Sequence, residues 1–530
     1  MDYLKELNEV QREAVTCSDG PSLVIAGAGS GKTRVLTYRI AYLLDKGIKA
    51  EKILALTFTN KAAREMKERI IEMVGYQVAR NLWMGTFHSI FSRILRANAE
   101  KLGYTSNFTI YDSADSKNLV KKILKDLNLS DQTYKPNEIF GRISSAKNNL
   151  ITPQAYRNNA QIQQLDIKNN REQAGEIYQI YVNRCRKADA MDFDDLLLMT
   201  NILFRDMPEV LAHYQDRFSH ILVDEYQDTN YAQYLIVKKL ADKHKNVCVV
   251  GDDAQSIYSF RGALIENILN FRNDYKGYRL FKLEQNYRST QTIVKAANSI
   301  ISKNKDQIKK NVFSNQEVGE RVQVIKALTD NEEGFKVAND ILDTRNNYQV
   351  PFRDFAILYR TNAQSRIFEE SLRKKHIPYK VFGSLSFYQR KEIKDVLAYL
   401  RFIVNPRDDE ALKRIINFPA RGIGNTTLDK IEKFAISSEK NLWEVIDQVD
   451  NFKLDINKGI TTKLKNFAAM IRDFRESATD LNAFSVSEKV VNTVGILKEY
   501  NLNGPPENIS KYENIQELLN SIRELTENAH

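Results

Sequence analysis

The sequence predicts an α/β protein built on parallel sheets and interrupted by mainly helical insertions. Three observations carry this. Short apolar runs end at polar or glycine-containing signals: Leu23–Ala26, Ile53–Phe58, Ile221–Val223, Val247–Val250 and Phe281–Leu283. Helical periodicity follows most of them, as in Lys61–Met73, and buried strands alternating with helices form parallel sheets. The stretch from about Tyr111 to Ala190 is rich in Asn, Gln, Lys and Ser, with amphipathic helical patterns and no clear strand.

With 530 residues the chain exceeds a single core, which implies roughly three or four domains. Hydrophobic residues at 42% and charged residues at 28% give a globular rather than a disordered balance. A net charge of +10 permits a polyanionic partner, but is far milder than that of a ribosomal or chromatin protein. Cys17, Cys185 and Cys248 are far apart and form no CxxC pair, which argues against a disulfide framework or a zinc site and fits a reducing compartment. The opening MDYLKELNEVQREAV is charged from its second residue, and no later apolar stretch is long enough to span a bilayer. A cytoplasmic location with no membrane partner is expected.

The first apolar run leads into AGAGSGKT, residues 26–33, and then into the helical pattern TRVLTYRIAYLL. In a strand–loop–helix context, Ala26, Gly27, Ala28, Gly29, Ser30 and Gly31 can wrap backbone N–H groups around phosphates. Lys32 reaches the β- and γ-phosphates, and the Thr33 hydroxyl binds Mg²⁺. Ala26 stands where the usual pattern has Gly, at a position that needs only a small residue. The third run ends in ILVDEYQDTN, residues 221–230. Asp224 suits a Mg²⁺ ligand, and Glu225 suits the group that orients and deprotonates an attacking water. Nearly two hundred positions separate Lys32 from Asp224. That disfavours a compact phosphate-loop enzyme and requires an inserted domain. After Phe281–Leu283 a second α/β series is expected, with strands at Val322–Ile325, Phe355–Tyr359 and Tyr379–Phe382, and a helical pattern from about Glu392 onward.

Further stretches agree in order and spacing with one family. They are LNEVQREAV, LALTFTNKAAREMKERI, GTFHS, DFDDLL, VVGDDAQSIYSFRGA and LEQNYRST, with the weaker FYQRKEIKD and ARGIGNTTLDKI. From about Leu7 to Lys430 the chain resembles the UvrD/PcrA/Rep-type superfamily 1 DNA helicases. The resemblance implies P-loop RecA-like parallel sheet domains with mainly helical inserted domains. Residues 1–110 and 191–280 would form the first motor domain and 111–190 its insertion. Residues 281–385 would begin the second motor domain, and 386–530 would be the insertion in it. It implies an ATPase that moves 3′ to 5′ on single-stranded DNA in repair or replication, acting at single-strand/duplex junctions, with ATP between the motor domains. It also implies a TLHxAKG-like stretch and a second arginine-bearing motif. Neither is found before His530, so the expectation is ATP binding with slow hydrolysis and little unwinding. An ATP-controlled clamp that displaces proteins from DNA, or a helicase–nuclease subunit, are the alternatives.

The resemblance also assigns residues. Gln11 would read the adenine edge, Tyr287 would stack on the ring, and Arg34 would join the nucleotide site. Arg288 would reach the γ-phosphate from the second motor domain, and Gln255 would report that phosphate. Tyr258 and Phe260 would stack on bases, with Phe260 standing where the family usually has Trp; Arg261 would pair with a carboxylate or a phosphate. Phe58 would stack, while Asn60, Thr86 and His88 would bond to the strand's backbone. His88 has no acidic or nucleophilic neighbour in sequence, which argues against metal binding or general-base work. Gly422 and Gly424 would let backbone N–H groups approach duplex phosphates. Gln389 replaces an acid usual in the family.

Overall fold

The computed structural model describes residues 2–305, 307–382, 387–500 and 505–527. Ser386, where the second insertion is expected to begin, and His530 lie outside them. The chain divides into two compact units, Met1–Glu320 with Asn405–Glu410, and Arg321–Val404 with Ala411–His530.

The strands of the first unit are, in chain order, β1 (Ser22–Ala26), β2 (Ile53–Thr57), β3 (Trp83–Thr86), β4 (Thr109–Tyr111), β5 (Ala190–Asp192), β6 (His220–Val223), β7 (Val247–Gly251), β8 (Arg279–Leu283), β9 (Gln285–Asn286) and β10 (Phe313–Ser314). Six form one sheet in the order β3-β2-β6-β7-β1-β8, and every neighbouring pair is parallel. All residues of β1, β2, β6 and β7 are buried. Helices on both faces leave no wet side, so these strands read as continuous apolar runs. Their two-residue period still separates two cores. Leu23, Ile25, Leu54, Leu56, Ile221, Val223, Val247 and Val249 face one. Val24, Ala26, Ile53, Ala55, Leu222, Cys248 and Val250 face the other. Burying each large aliphatic chain here contributes about 1.5–3 kcal/mol, an upper estimate.

Two expectations are corrected. The run Phe281–Leu283 does not open a second sheet: β8 pairs with β1 from Ser22↔Arg279 to Ala26↔Leu283 and closes the edge of the first. An apolar run marks a strand but not its neighbour, and the mixed exposure of β8 is that of an edge. Val322–Ile325, Phe355–Tyr359 and Tyr379–Phe382 form no strand. β-Branched and aromatic composition favours extended backbone, but a strand also needs a ladder partner, and no described residue pairs with these three segments. Leu358 is accordingly 93% exposed.

Between β4 and β5 lie the helices Ser113–Asp126, Pro136–Asn148, Pro153–Asn158, Ala160–Lys168 and Ala174–Lys187. They enclose a core of their own that includes Val120, Ile123, Ile177, Tyr178 and Tyr181. The parallel β4–β5 pair closes its base. There the fully buried Lys147 ammonium lies 2.7 Å from Asp192 and 2.8 Å from Asp195, and the Tyr181 hydroxyl donates to Asp192 at 2.8 Å. Burying these charges is tolerable only because they compensate one another. The pair ties the insertion to the DFDDLL segment.

In the second unit, helices Asp330–Tyr348 and Ser365–Lys374 pack around Ala338, Ile341, Leu372 and Ile377. Helices Lys391–Val404, Asn425–Ser437, Lys458–Asp480, Ala483–Val494 and Pro506–Glu527 surround a core that includes Tyr399, Phe402, Ile431, Phe467 and Ile471. Among the described residues no helix is long and apolar enough to cross a membrane.

Candidate functional site

Parallel sheets present their strand carboxyl ends, and the helix N-termini that follow them, on one edge. β1 runs into the loop Gly27–Gly31 and the helix Lys32–Asp45. Gly29 and Gly31 have φ of +67° and +88°, a left-handed backbone that a side chain would strain. The loop is braced from within and without. The Ser30 hydroxyl donates to the Gly27 carbonyl at 2.7 Å, Gly27 N–H donates to Leu283 O at 3.0 Å, and Tyr287 N–H donates to Gly29 O at 2.9 Å. Ala26 is a fully buried strand residue, where only a small side chain is needed.

At the end of β6, Asp224 and Glu225 face this loop. The Lys32 ammonium lies 2.8 Å from a Glu225 carboxylate oxygen, so sequence positions far apart meet at one point. Glu225 has a left-handed backbone, φ +46°, costly for a side chain this size and a conformation that concentrates at functional sites. Asp224 is buried, and burial followed by repulsion from Glu225 pushes its pKa up to about 7. The same two causes push Asp228 up to about 6. A residue not anticipated from the sequence links the acids to the next strand end. The Gln227 amide donates to Glu225 at 2.9 Å, and its carbonyl accepts from Asp252 N–H at 3.0 Å. Asp252 in turn accepts from the Gln255 amide at 2.7 Å. Gln227 carries no motif signature of its own beyond standing two residues after Glu225.

Gln11 is almost fully buried. Its amide closes a capping box with Asn8 and donates to Ser30 O at 3.0 Å, so it braces the phosphate loop. Arg34 lies 2.8 Å from Glu6 and over the Tyr38 ring. Tyr287 accepts from the Asn8 amide at 2.8 Å. Arg288 is exposed, and its Cβ would lie 2.8 Å from a Cβ added at Gly29. Because β8 belongs to the first sheet, Arg288 lies in the same compact unit as the phosphate loop.

The aromatic candidates also follow strand ends. Tyr258 and Phe260 lie beyond β7 with rings 5.9 Å apart, and the Arg261 guanidinium sits over both. Phe260 is 73% exposed. Phe58, half-buried after β2, packs on Phe87 at 5.6 Å. Asn60 is exposed in the first turn of the helix Asn60–Val74. Thr86 caps the helix Phe87–Ala97 by accepting from Ser89 N–H. Burial lowers the His88 pKa to about 4, which leaves the ring neutral at physiological pH. His88 packs edge-on against Phe193 at 5.6 Å. Phe193, 49% exposed, is a second unanticipated residue; its signal is a large apolar side chain set between acids in DFDDLL.

Gly422 and Gly424 belong to the second unit. Gly422 has φ +71° beside the Lys463 ammonium. Gly424 caps the helix Asn425–Ser437 with an ordinary backbone and no side-chain bond. Among the described residues no group of three or more His, Cys, Asp or Glu could hold a metal alone.

The family model of the UvrD/REP helicase N-terminal domain matches residues 7–276, and that of the UvrD-like helicase C-terminal domain matches residues 281–530. The ATP-dependent DNA helicase PcrA of Staphylococcus aureus strain Mu50 is 43% identical over 526 residues, 99% of this chain and 71% of the relative. Its counterpart in Staphylococcus epidermidis strain ATCC 12228 is 42% identical over the same spans. The phosphate loop, the acidic strand end and these matches together place the chain in the UvrD/PcrA-type helicase family.

Proposed function

We propose that this chain is an ATP-dependent DNA helicase that hydrolyses ATP at the Lys32–Glu225 site and uses it to move 3′ to 5′ along single-stranded DNA. The observation that carries this is the run of hydrogen bonds from Lys32 through Glu225, Gln227 and Asp252 to Gln255. It ends in the turn Asp253–Gln255, just before the turn Ser259–Arg261 that follows Tyr258 and holds Phe260, so the connected groups run from the phosphate chemistry to the segment that carries a base-stacking surface.

In this reading Lys32 leaves Glu225 for the β- and γ-phosphates when ATP enters the loop of residues 26–33. Glu225, released from its cation but still held by Gln227, orients the attacking water and accepts its proton. Arg288, free to swing from its place beside Gly29, stabilises charge on the transferring phosphoryl group, and Gln255 registers whether the γ-phosphate is present. Gln11 reads adenine by exchanging its bond to Ser30 O or to Asn8 N–H. Tyr287 stacks on the base, and Arg34 lies at the edge of the nucleotide site. Thr33 and Asp224 are hard oxygen donors that suit Mg²⁺, and a buried carboxylate with a raised pKa is one that a cation would relieve. Bound there, Mg²⁺ would neutralise charge on the phosphates.

Phe58, Tyr258, Phe260 and Phe193 offer faces to unstacked bases, a sequence-tolerant contact of about 1–3 kcal/mol per base. Asn60, Thr86, His88 and Arg261 line the same edge for backbone contacts, and neutral His88 acts as a polar group rather than a charge. Gly422 and Gly424 contact the duplex of a single-strand/duplex junction through backbone N–H groups. Repair or replication in the cytoplasm is the setting that fits. The test is ATP turnover with and without single-stranded DNA, alongside strand separation on 3′-tailed and 5′-tailed duplexes. DNA-stimulated turnover is expected, with strand separation, however slow, confined to the 3′-tailed substrate. Turnover indifferent to DNA, or preference for the 5′ tail, would overturn it.

A further inference from the structure

We infer that Lys310 is a positioning residue that holds the Gln255 turn and the β9–β10 ladder, which leads into Arg288, in one geometry. The inference rests on the role proposed above for Gln255. The Lys310 ammonium lies 2.9 Å from Asp252 and 2.5 Å from Asp253, and all three side chains are buried. Asp252 uses its other oxygen to accept from the Gln255 amide. The orientation of Gln255 is therefore set by a carboxylate that Lys310 fixes. Burial alone would lower the Lys310 pKa, but Asp252 and then Asp253 outweigh it and leave it above the ordinary value. The ammonium stays charged.

The segment that carries Lys310 is tied to the other phosphate-facing residues. Just beyond it, β10 pairs with β9, Phe313↔Gln285 and Ser314↔Asn286, immediately before Tyr287 and Arg288. Asn286 accepts from Arg288 N–H at 2.9 Å and donates to Ala28 O of the phosphate loop at 2.6 Å. A Cβ added at Gly27 would meet a Val312 methyl at 2.5 Å. One short stretch thus touches the phosphate loop, the β9 strand that leads into Arg288 and, through Lys310, the Gln255 turn.

A buried ion pair is weak evidence for stability, because apolar residues of equal volume often serve as well. What one lysine between two carboxylates does fix is direction: without it, Asp252 and Asp253 repel, and Asp252 turns away from Gln255. The test uses the full chain and compares Lys310→Met, Lys310→Arg, Gln255→Ala and the double variant Gln255→Ala/Lys310→Met. Readouts are DNA-stimulated turnover and the affinity ratio of a non-hydrolysable ATP analogue to ADP. For Lys310→Met we expect about a tenfold fall in stimulated kcat and a similar fall in the ratio, with ADP affinity changed less than about twofold. Lys310→Arg should restore most of both, and the double variant should be no worse than Gln255→Ala. If the two losses multiply in the double variant, or analogue and ADP weaken equally, the inference is overturned. If Gln255→Ala itself changes neither readout, the reading of Gln255 fails and the inference with it. Should Lys310→Met not fold, Asp252→Asn leaves one acceptor oxygen for two donors, the Lys310 ammonium and the Gln255 amide. It should lower the same ratio to a smaller degree, and an unchanged ratio would overturn the inference.

Discussion

Replacing Asp224 with asparagine should stabilise the nucleotide-free protein at alkaline pH. Burial, with Glu225 adjacent, raises the Asp224 pKa from its ordinary 3.8 to about 7. A carboxyl group whose folded pKa is raised contributes its full stability below the unfolded value, and that contribution is lost as pH rises through the folded one. Roughly three pKa units at about 1.4 kcal/mol each set a ceiling near 4 kcal/mol, and local relaxation brings the expected gain to about 2–4 kcal/mol. Asparagine cannot ionise, and its carbonyl can still accept the Glu225 N–H that Asp224 accepts at 3.0 Å. The chain has two tryptophans, Trp83 in a core of the first unit and Trp443 in that of the second. In a Trp443→Phe background, urea denaturation followed by fluorescence therefore reports the first unit alone, which avoids treating both units as one transition. Without Mg²⁺ or nucleotide, Asp224→Asn should be more stable than its parent at about pH 8.5, and the difference should shrink as pH falls below about 7 and close below about pH 4. A difference independent of pH, or a parent more stable at high pH, would refute the reasoning.

Other perturbations address the remaining parts of the site. Glu225→Gln keeps the size of the side chain and removes its proton acceptor, so ATP affinity should stay near normal while turnover falls by orders of magnitude in a steady-state phosphate-release assay. Phe260→Ala should weaken single-stranded DNA binding by about five- to a hundredfold while ADP affinity is unchanged, and Phe260→Trp should tighten it, both read by anisotropy of a labelled oligonucleotide. Lys147→Met would leave Asp192 and Asp195 buried without their cation. It should cost about 3–5 kcal/mol in the same denaturation assay.

Much of this site can be read from the sequence because its chemistry sits at strand ends. A buried parallel strand must be apolar throughout, so the polar or glycine residue that ends it stands out, as at Gly27, Asp224 and Gly251. The long gap between Lys32 and Asp224 marks an insertion for the same reason, since one sheet cannot hold that much chain. Pairing is not visible in this way. Phe281–Leu283 has the extended, partly apolar composition of a strand but nothing that names its neighbour, and only its register against β1 assigns it to the first sheet and carries Arg288 with it. Trp83–Thr86 is short and contains Gly85, so β3 shows no continuous apolar run. Gln227 and Lys310 act through neighbours distant in sequence, and a single glutamine or lysine has no pattern that would reveal them.

The most direct test is a structure of the protein with Mg²⁺, a non-hydrolysable ATP analogue and a short single-stranded oligonucleotide. The Lys32 ammonium should have moved from Glu225 to the β- and γ-phosphate oxygens, with Gln255 near the γ-phosphate and a base against Phe260. Finding the analogue bound while Lys32 still rests on Glu225, or the oligonucleotide away from Tyr258 and Phe260, would contradict it.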